Sequence, residues 1–223
     1  MAEPGTINGR ADDPSGLART IPSVTLYTRV RDDTLEPNPY RWAPIDARDL
    51  MGTGRVVVFS MPAAFSPTCS DAHLPSAERL HDDFRNADVD RVFGLAVNDA
   101  FTMHRWGEAL GIGDVQLVPD GNGDFTRRMG MLVSRRGVGY GPRSWRYAFV
   151  ADDGEIVAWF EEPGIADDIG PDEDPYGVSA PERVLEWCRH NRADAFERSP
   201  GVRRLDYGVY EFGSHHRERS ARA

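Results

Sequence analysis

The chain is predicted to fold as an α/β domain with a mixed central β-sheet and helices on both faces. Three observations carry this. The short unbroken apolar run Val56–Phe59 reads as a strand buried on both faces, and the segment Arg91–Val97 as a second buried strand. Segments with apolar residues at helical spacing alternate with them. Further on, Trp145–Ala151 and Glu155–Glu161 flank Asp152-Asp153-Gly154, a hairpin signal that adds antiparallel strands.

In chain order, Ile21–Arg31 alternates loosely through Val24, Leu26, Thr28 and Val30, as an edge strand would. Pro37–Trp42 is turn-rich, and Asp46–Leu50 has room for one helical turn before Gly52 and Gly54. The strand Val56–Phe59 leads into a helix whose apolar residues Leu74, Ala77, Leu80 and Phe84 share a face. Pro75 lacks a backbone donor and is expected to kink or restart that helix. After the strand Arg91–Val97, Asn98-Asp99 is placed to cap a helix carrying Phe101, Trp106, Ala109 and Leu110 inward. Val115–Val118 is a third short strand, closed by the turn cluster Pro119–Asp124. A short helix over Phe125–Leu132 and a glycine-spaced loop (Gly137, Gly139, Gly141) precede the hairpin. Ile165–Gly177 is acidic and turn-rich, and Ser179-Ala-Pro-Glu182 reads as a capping box opening a helix to about His190.

These elements delimit one domain over 22–190, preceded by a mobile N-terminal arm (1–21). A C-terminal extension (191–223), partly docked or disordered, follows. Within the extension, Leu205, Tyr207, Val209, Tyr210 and Phe212 offer apolar area to dock on the body or a partner, and 214–223 reads as a frayed tail.

Composition narrows the function. The net charge of −10 disfavours general binding to nucleic acid or anionic membranes, and all 26 basic residues are arginine. No apolar run reaches the roughly 20 residues of a membrane span, and the N-terminus lacks the apolar centre of a secretion signal. Two cysteines do not make a disulfide framework, so a reducing, cytoplasmic location is expected.

One stretch stands out chemically. Between the strand Val56–Phe59 and the following helix, Ser66 suits an N-cap and Pro67 the first helical position. Cys69 then falls in the first turn, where free N–H groups and the helix dipole favour an anion, so a thiol there is a better nucleophile. Free cysteines are also common as inert core residues, and the corner alone leaves both readings open.

The run Pro62-Ala-Ala-Phe-Ser66-Pro-Thr-Cys69 resembles the Pro-x-x-x-Thr/Ser-x-x-Cys signature of peroxiredoxins. Its continuation Ser70-Asp-Ala-His73-Leu-Pro75 is similar to the type II group, which includes mammalian peroxiredoxin five and the plant type II enzymes. Ala96–Phe101, Pro119–Phe125 and Arg143-Ser-Trp-Arg146-Tyr-Ala148 resemble the same group in the same order. The resemblance implies a thioredoxin-like fold and a thiol-dependent peroxidase acting on hydrogen peroxide and alkyl hydroperoxides. It also implies site roles. Cys69 would be the peroxidatic nucleophile that becomes a sulfenic acid, and Ser66 would hydrogen-bond the peroxide. Arg146 would stabilise thiolate and peroxide, and Pro62 would shield the site. Arg143 and Arg146 lie three apart in a presumed strand, so only one faces Cys69; the match selects Arg146, with Ala148 and Val150 on its side.

No cofactor is expected. His73 follows Cys69 by four, but no Cys/His cluster accompanies it to hold a metal, so it reads as a hydrogen-bonding or interface histidine. Gly94 stands where plant relatives carry a second cysteine, and the loop around Pro175–Val178, where the mammalian enzyme places its own, has none. Cys188 sits at helical spacing from Val184 and Leu185 and reads as a core residue, not as the resolving one. A one-cysteine cycle resolved by glutathione, glutaredoxin or thioredoxin is therefore expected, in a homodimer of the kind type II relatives form. Two other readings compete: a peroxide sensor that relays oxidation to a partner protein, and a non-catalytic interaction protein using 202–212. The intact Pro62, Ser66, Cys69 and Arg146 set counts against the last.

Overall fold

The computed structural model describes residues 18, 20–170 and 173–192, with the backbone of a two-residue strand at Gly5–Thr6. The rest of the N-terminal arm and 193–223, including the 202–212 run, lie outside the described residues. The strands are β1 (Gly5–Thr6), β2 (Thr25–Arg31), β3 (Tyr40–Asp46), β4 (Arg55–Met61), β5 (Arg91–Ala96), β6 (Gln116–Pro119), β7 (Leu132–Arg135), β8 (Gly141–Ser144), β9 (Tyr147–Asp152) and β10 (Glu155–Glu161). The helices are α1 (Ala47–Met51), α2 (Leu74–Arg79), α3 (His81–Asn86), α4 (Ala100–Leu110), α5 (Asp124–Arg128) and α6 (Pro181–His190).

The central sheet runs β1-β10-β9-β4-β5-β6, with β4–β5 and β5–β6 parallel and the other pairs antiparallel. Two-stranded ribbons β2–β3 and β7–β8 flank it. This is the mixed sheet the sequence predicts, in a thioredoxin-like arrangement. The alternation along β4 explains why its apolar run is unbroken. Val56 and Val58 face a core shared with β2–β3, α1 and α5, whereas Val57, Phe59 and Met61 face one shared with α2, α3, α4 and α6. Adjacent strands obey the same rule: Ala148 and Val150 join the second core, Tyr147 and Phe149 the first. Opposite the site end of the sheet, Arg55 grips Asp152 through two 2.7 Å bonds and donates at 2.5 Å to the Asn191 carbonyl, pinning the end of α6 to β4 and β9.

Several local expectations shift. Ile21 is buried, its N–H bonding the Gly154 carbonyl at 2.9 Å, so the end of the expected arm belongs to the body. The turn-rich stretch after Pro39 is strand β3, antiparallel to β2 from Thr25↔Asp46 to Arg31↔Tyr40. Residues after α5 form the ribbon β7–β8 in place of a helix to Leu132 and an open loop. Helix α4 buries Ala100, Met103, Trp106 and Gly107, while Phe101 and Ala109 face outward. The reason is close approach to β6: a Cβ at Gly107 would lie 2.9 Å from Leu117 Cδ1, so the glycine edge turns inward. Phe101 instead meets Trp42 edge-on at 5.7 Å, under the Arg29 guanidinium.

Candidate active site

The end of β4 delivers the chain into the segment Pro62–His73. Ser66 occupies the capping position through its backbone, its carbonyl accepting from Ser70 N–H at 2.9 Å. Its hydroxyl does not cap; it donates to the Ala63 carbonyl at 2.9 Å. Phe65, just before, is held at φ 64, a left-handed conformation that is strained for an aromatic residue. Asn98 steadies this turn, its Oδ1 accepting from Ala64 N–H at 2.9 Å, while Asp99 caps α4 through Phe101 and Thr102 N–H.

Cys69–His73 is a π-helical turn, closed by the Leu74 N–H bonding the Cys69 carbonyl. The expected disturbance at Pro75 takes this form. Proline cannot donate, its ring crowds the preceding turn, and the widened turn absorbs the conflict before α2 begins at Leu74. The Ser70 hydroxyl accepts from Trp106 Nε1 at 3.0 Å, tying the turn to α4. One consequence is that His73 is directed inward, fully buried against Phe59 and Tyr176.

Arg146 reaches the same place from the residue before β9, because β9 neighbours β4 with Ser60 opposite Tyr147. Its guanidinium is 1% exposed. Nη1 lies 3.4 Å from Cys69 Sγ and 3.1 Å from His73 Nδ1, and Nη2 donates to Asp174 Oδ1 at 2.5 Å. Burial alone would make the guanidinium easier to deprotonate, but the Cys69 sulfur and the Asp174 carboxylate outweigh it and the net push is upward. His73 is the converse: burial, and secondarily the charge of Arg146, hold it well below the usual histidine range, so it stays neutral. Nδ1 then accepts from Arg146 and the proton resides on Nε2.

Glu162, just past β10, holds the opposite wall. Its buried carboxylate accepts from Gly177 N–H, Ser179 N–H and the Ser179 hydroxyl at 2.7–2.8 Å. Its backbone N–H bonds the Arg146 carbonyl at 3.1 Å. The expected capping box is thereby corrected: α6 is capped at Ala180 without a side-chain bond, and Ser179 serves Glu162 instead.

Of the residues singled out in the sequence, Cys69 and Arg146 are in contact, His73 joins them, and Pro62 and Ser66, both partly exposed, lie on the connection leading to Cys69. Arg143 is not part of the cluster; it lies in β8 and stacks with Tyr140. Cys188 is fully buried in α6, and burial pushes its thiol up to about 12. At Gly94 an added Cβ would stand 3.0 Å from Leu117 Cδ2 and 3.2 Å from Met61 Cε, a position already filled by packing. Asn98 as a loop tether, Glu162 and Asp174 were not singled out as site residues. The available signal was indirect: a buried arginine needs a carboxylate, and the acidic stretch before α6 offers several.

A family model described as Redoxin matches residues 29–175. Peroxiredoxin y4vD of Sinorhizobium fredii is 49% identical over 174 residues, covering 78% of this chain and 92% of that protein. The chain belongs to the peroxiredoxin family. It is type II-like: chloroplastic Peroxiredoxin-2E of Arabidopsis thaliana is 37% identical over 170 residues, covering 70% of this peroxiredoxin and 73% of the plant protein. Among solved structures, reduced Prx3 of Vibrio vulnificus in complex with H2O2 superposes with a TM-score of 0.64 at 32% identity, over 78% of this chain and 96% of that one. The peroxiredoxin is thus a thiol-dependent peroxidase. No helix among the described residues is long and apolar enough to cross a membrane.

Proposed function

We propose that this peroxiredoxin reduces hydrogen peroxide and alkyl hydroperoxides at Cys69, in a one-cysteine cycle closed by an external thiol. The observation that carries the reading is the 3.4 Å contact between the Arg146 guanidinium and Cys69 Sγ inside a buried site. The relative from Vibrio vulnificus, solved with H2O2 bound, supports peroxide as the substrate class.

The Cys69 thiolate attacks one peroxide oxygen as the O–O bond breaks, giving a sulfenic acid, and the departing oxygen takes a proton to leave as water or alcohol. Arg146 stabilises the anionic sulfur before attack and the charge that moves onto oxygen afterwards. Ser66, its proton committed to Ala63, offers the peroxide O–H a lone pair. Pro62 presents no N–H and shields the sulfur from water. An external thiol then condenses with the sulfenic acid, releasing water and forming a mixed disulfide. A second thiol reduces that disulfide and regenerates Cys69. Glutathione, glutaredoxin or thioredoxin fits this demand, in a reducing cytoplasm. Cys188 is unsuited to resolve, because it is packed in the core beneath α6 and burial pushes its thiol up to about 12, so it is not ionised.

A homodimer is part of the reading, supported by Phe65 and Phe101, each about half exposed near the site. Light scattering at micromolar concentration should give twice the chain mass, and a monomeric mass would remove this part. The main test is single-turnover oxidation of pre-reduced protein by one equivalent of hydrogen peroxide, with Cys69→Ser alongside. Rapid peroxide loss with a trappable gain of about 16 Da on Cys69 is expected, as for a sulfenic acid. A mass loss of about 2 Da mapped to a Cys69–Cys188 disulfide would exclude the one-cysteine cycle.

A further inference from the structure

Arg146 is almost wholly buried, and a buried guanidinium requires a counter-charge. The groups facing it come from two places. The π-helical turn brings Cys69 and His73, and the connection between β10 and α6 brings Asp174 and Tyr176. His73 cannot supply a negative charge. Tyr176 flanks the guanidinium at 5.5 Å, but burial, with Glu182 and Glu162 nearby, pushes its hydroxyl up to about 12, so it is neutral as well. Among the described residues Asp174 is therefore the sole carboxylate paired with Arg146. Two anions, the Cys69 thiolate and Asp174, share one cation.

We propose that Asp174 is a positioning residue that acts on Cys69 through Arg146. With His73 on Nη1, Asp174 on Nη2 fixes the fork so that Nη1 is aimed at Cys69 Sγ, and its charge draws part of the guanidinium's field away from the sulfur. The placement of Asp174 is itself secured. Glu162 fastens Gly177 and Ser179 on one side of it, while Asp167 and Asp168 bond Ser134 and Gly137 N–H on the other. Asp174 also lines an open cleft of about 340 Å³ with Trp145, Ile169 and Pro175, so it stands between Arg146 and solvent.

This inference rests on Cys69 being the nucleophile, and aim and charge can be separated by two substitutions. Asp174→Asn keeps an acceptor oxygen but removes the competing charge, whereas Asp174→Ala removes both. The readout is Cys69 alkylation by iodoacetamide as a function of pH, with Cys69→Ser as background. It reports the thiolate without any peroxide, so absence of peroxidase turnover would sink the functional reading and leave this test decidable.

For Asp174→Asn the alkylation profile is expected to move toward acid by about half a pH unit or more, as follows from removing a competing anion. For Asp174→Ala, peroxide oxidation measured where the thiolate is fully formed should slow by about tenfold or more, because the fork is no longer held. An unmoved or alkaline-shifted profile in Asp174→Asn overturns the proposal. So does an Asp174→Ala oxidation rate within about threefold of the parent, which is less than loss of a charge-assisted bond predicts. Should Asp174→Ala fail to fold, the direction of the Asp174→Asn shift decides alone.

Discussion

Replacing Arg146 with lysine keeps the charge and removes the fork. The guanidinium serves three acceptors at once, Cys69 at 3.4 Å, His73 at 3.1 Å and Asp174 at 2.5 Å. A single ammonium cannot span them, and the carboxylate is the strongest competitor for it. The cation is then drawn toward Asp174, to about twice its distance from the sulfur. With an effective dielectric of about 20, a unit charge pair at that first distance is worth about 5 kcal/mol and at twice the distance about 2.5 kcal/mol. The difference corresponds to a loss of about 60- to 70-fold. Because Arg146 is buried, solvent screening does little to reduce that figure.

The charge that starts on sulfur ends on the departing oxygen, and both positions lie at the same end of the guanidinium. The loss should thus persist into the transition state and appear as slower oxidation of pre-reduced protein by hydrogen peroxide in stopped flow. Arg146→Ala should fall at least as far. A lysine variant oxidised within about threefold of the parent, with an unchanged melting temperature, would refute the reasoning, since it would mean that charge without geometry suffices.

Two further outcomes follow from the same site. His73 is held neutral when folded, well below 6.5, whereas unfolded it titrates near 6.5. Below that pH the unfolded chain binds the extra proton, so stability is full above 6.5 and falls as pH drops, by up to about 1.4 kcal/mol per unit. Denaturant unfolding between about pH 7.5 and 5 should show a shallower acid loss in His73→Asn than in the parent, and equal slopes would contradict the assignment. Glu162→Gln removes the charge from an acceptor of three hydrogen bonds and leaves a buried amide donor. A cost of about 2–3 kcal/mol should lower the melting temperature by about 5–10 °C; no change in melting would show that the connection to α6 is held by other contacts.

What was legible in the sequence follows from which constraints are local. The corner at Cys69 was readable because proline, serine and a buried strand act within a few residues of one another. Strand alternation allowed only one of Arg143 and Arg146 to face Cys69, and the family resemblance, not the pattern, selected Arg146. Strand β3 was obscured because Pro37 and Pro39 make the stretch Pro37–Trp42 read as turn, yet β3 pairs only with β2, and its Pro44 is tolerated in such an edge position. The register of α4 was misjudged because the inward residue nearest β6 is a glycine, which no apolar pattern detects.

Asp174 marks where local reasoning stops. Arg146 announces a need for negative charge, but Asp167, Asp168, Asp172, Glu173 and Asp174 all fall in the stretch that could meet it. Which one does so depends on chain anchored elsewhere. Asp167 and Asp168 are occupied with N–H groups of the β7–β8 ribbon, an element the sequence does not announce. Glu162 fixes Gly177 and Ser179 from the end of β10, leaving Asp174 at the buried guanidinium. Cys69, Arg146 and His73 form a site that the sequence lets one name. The carboxylate that holds it together is selected by the tertiary path of a loop, and that path is set by hydrogen bonds to backbone groups, which carry no residue identity.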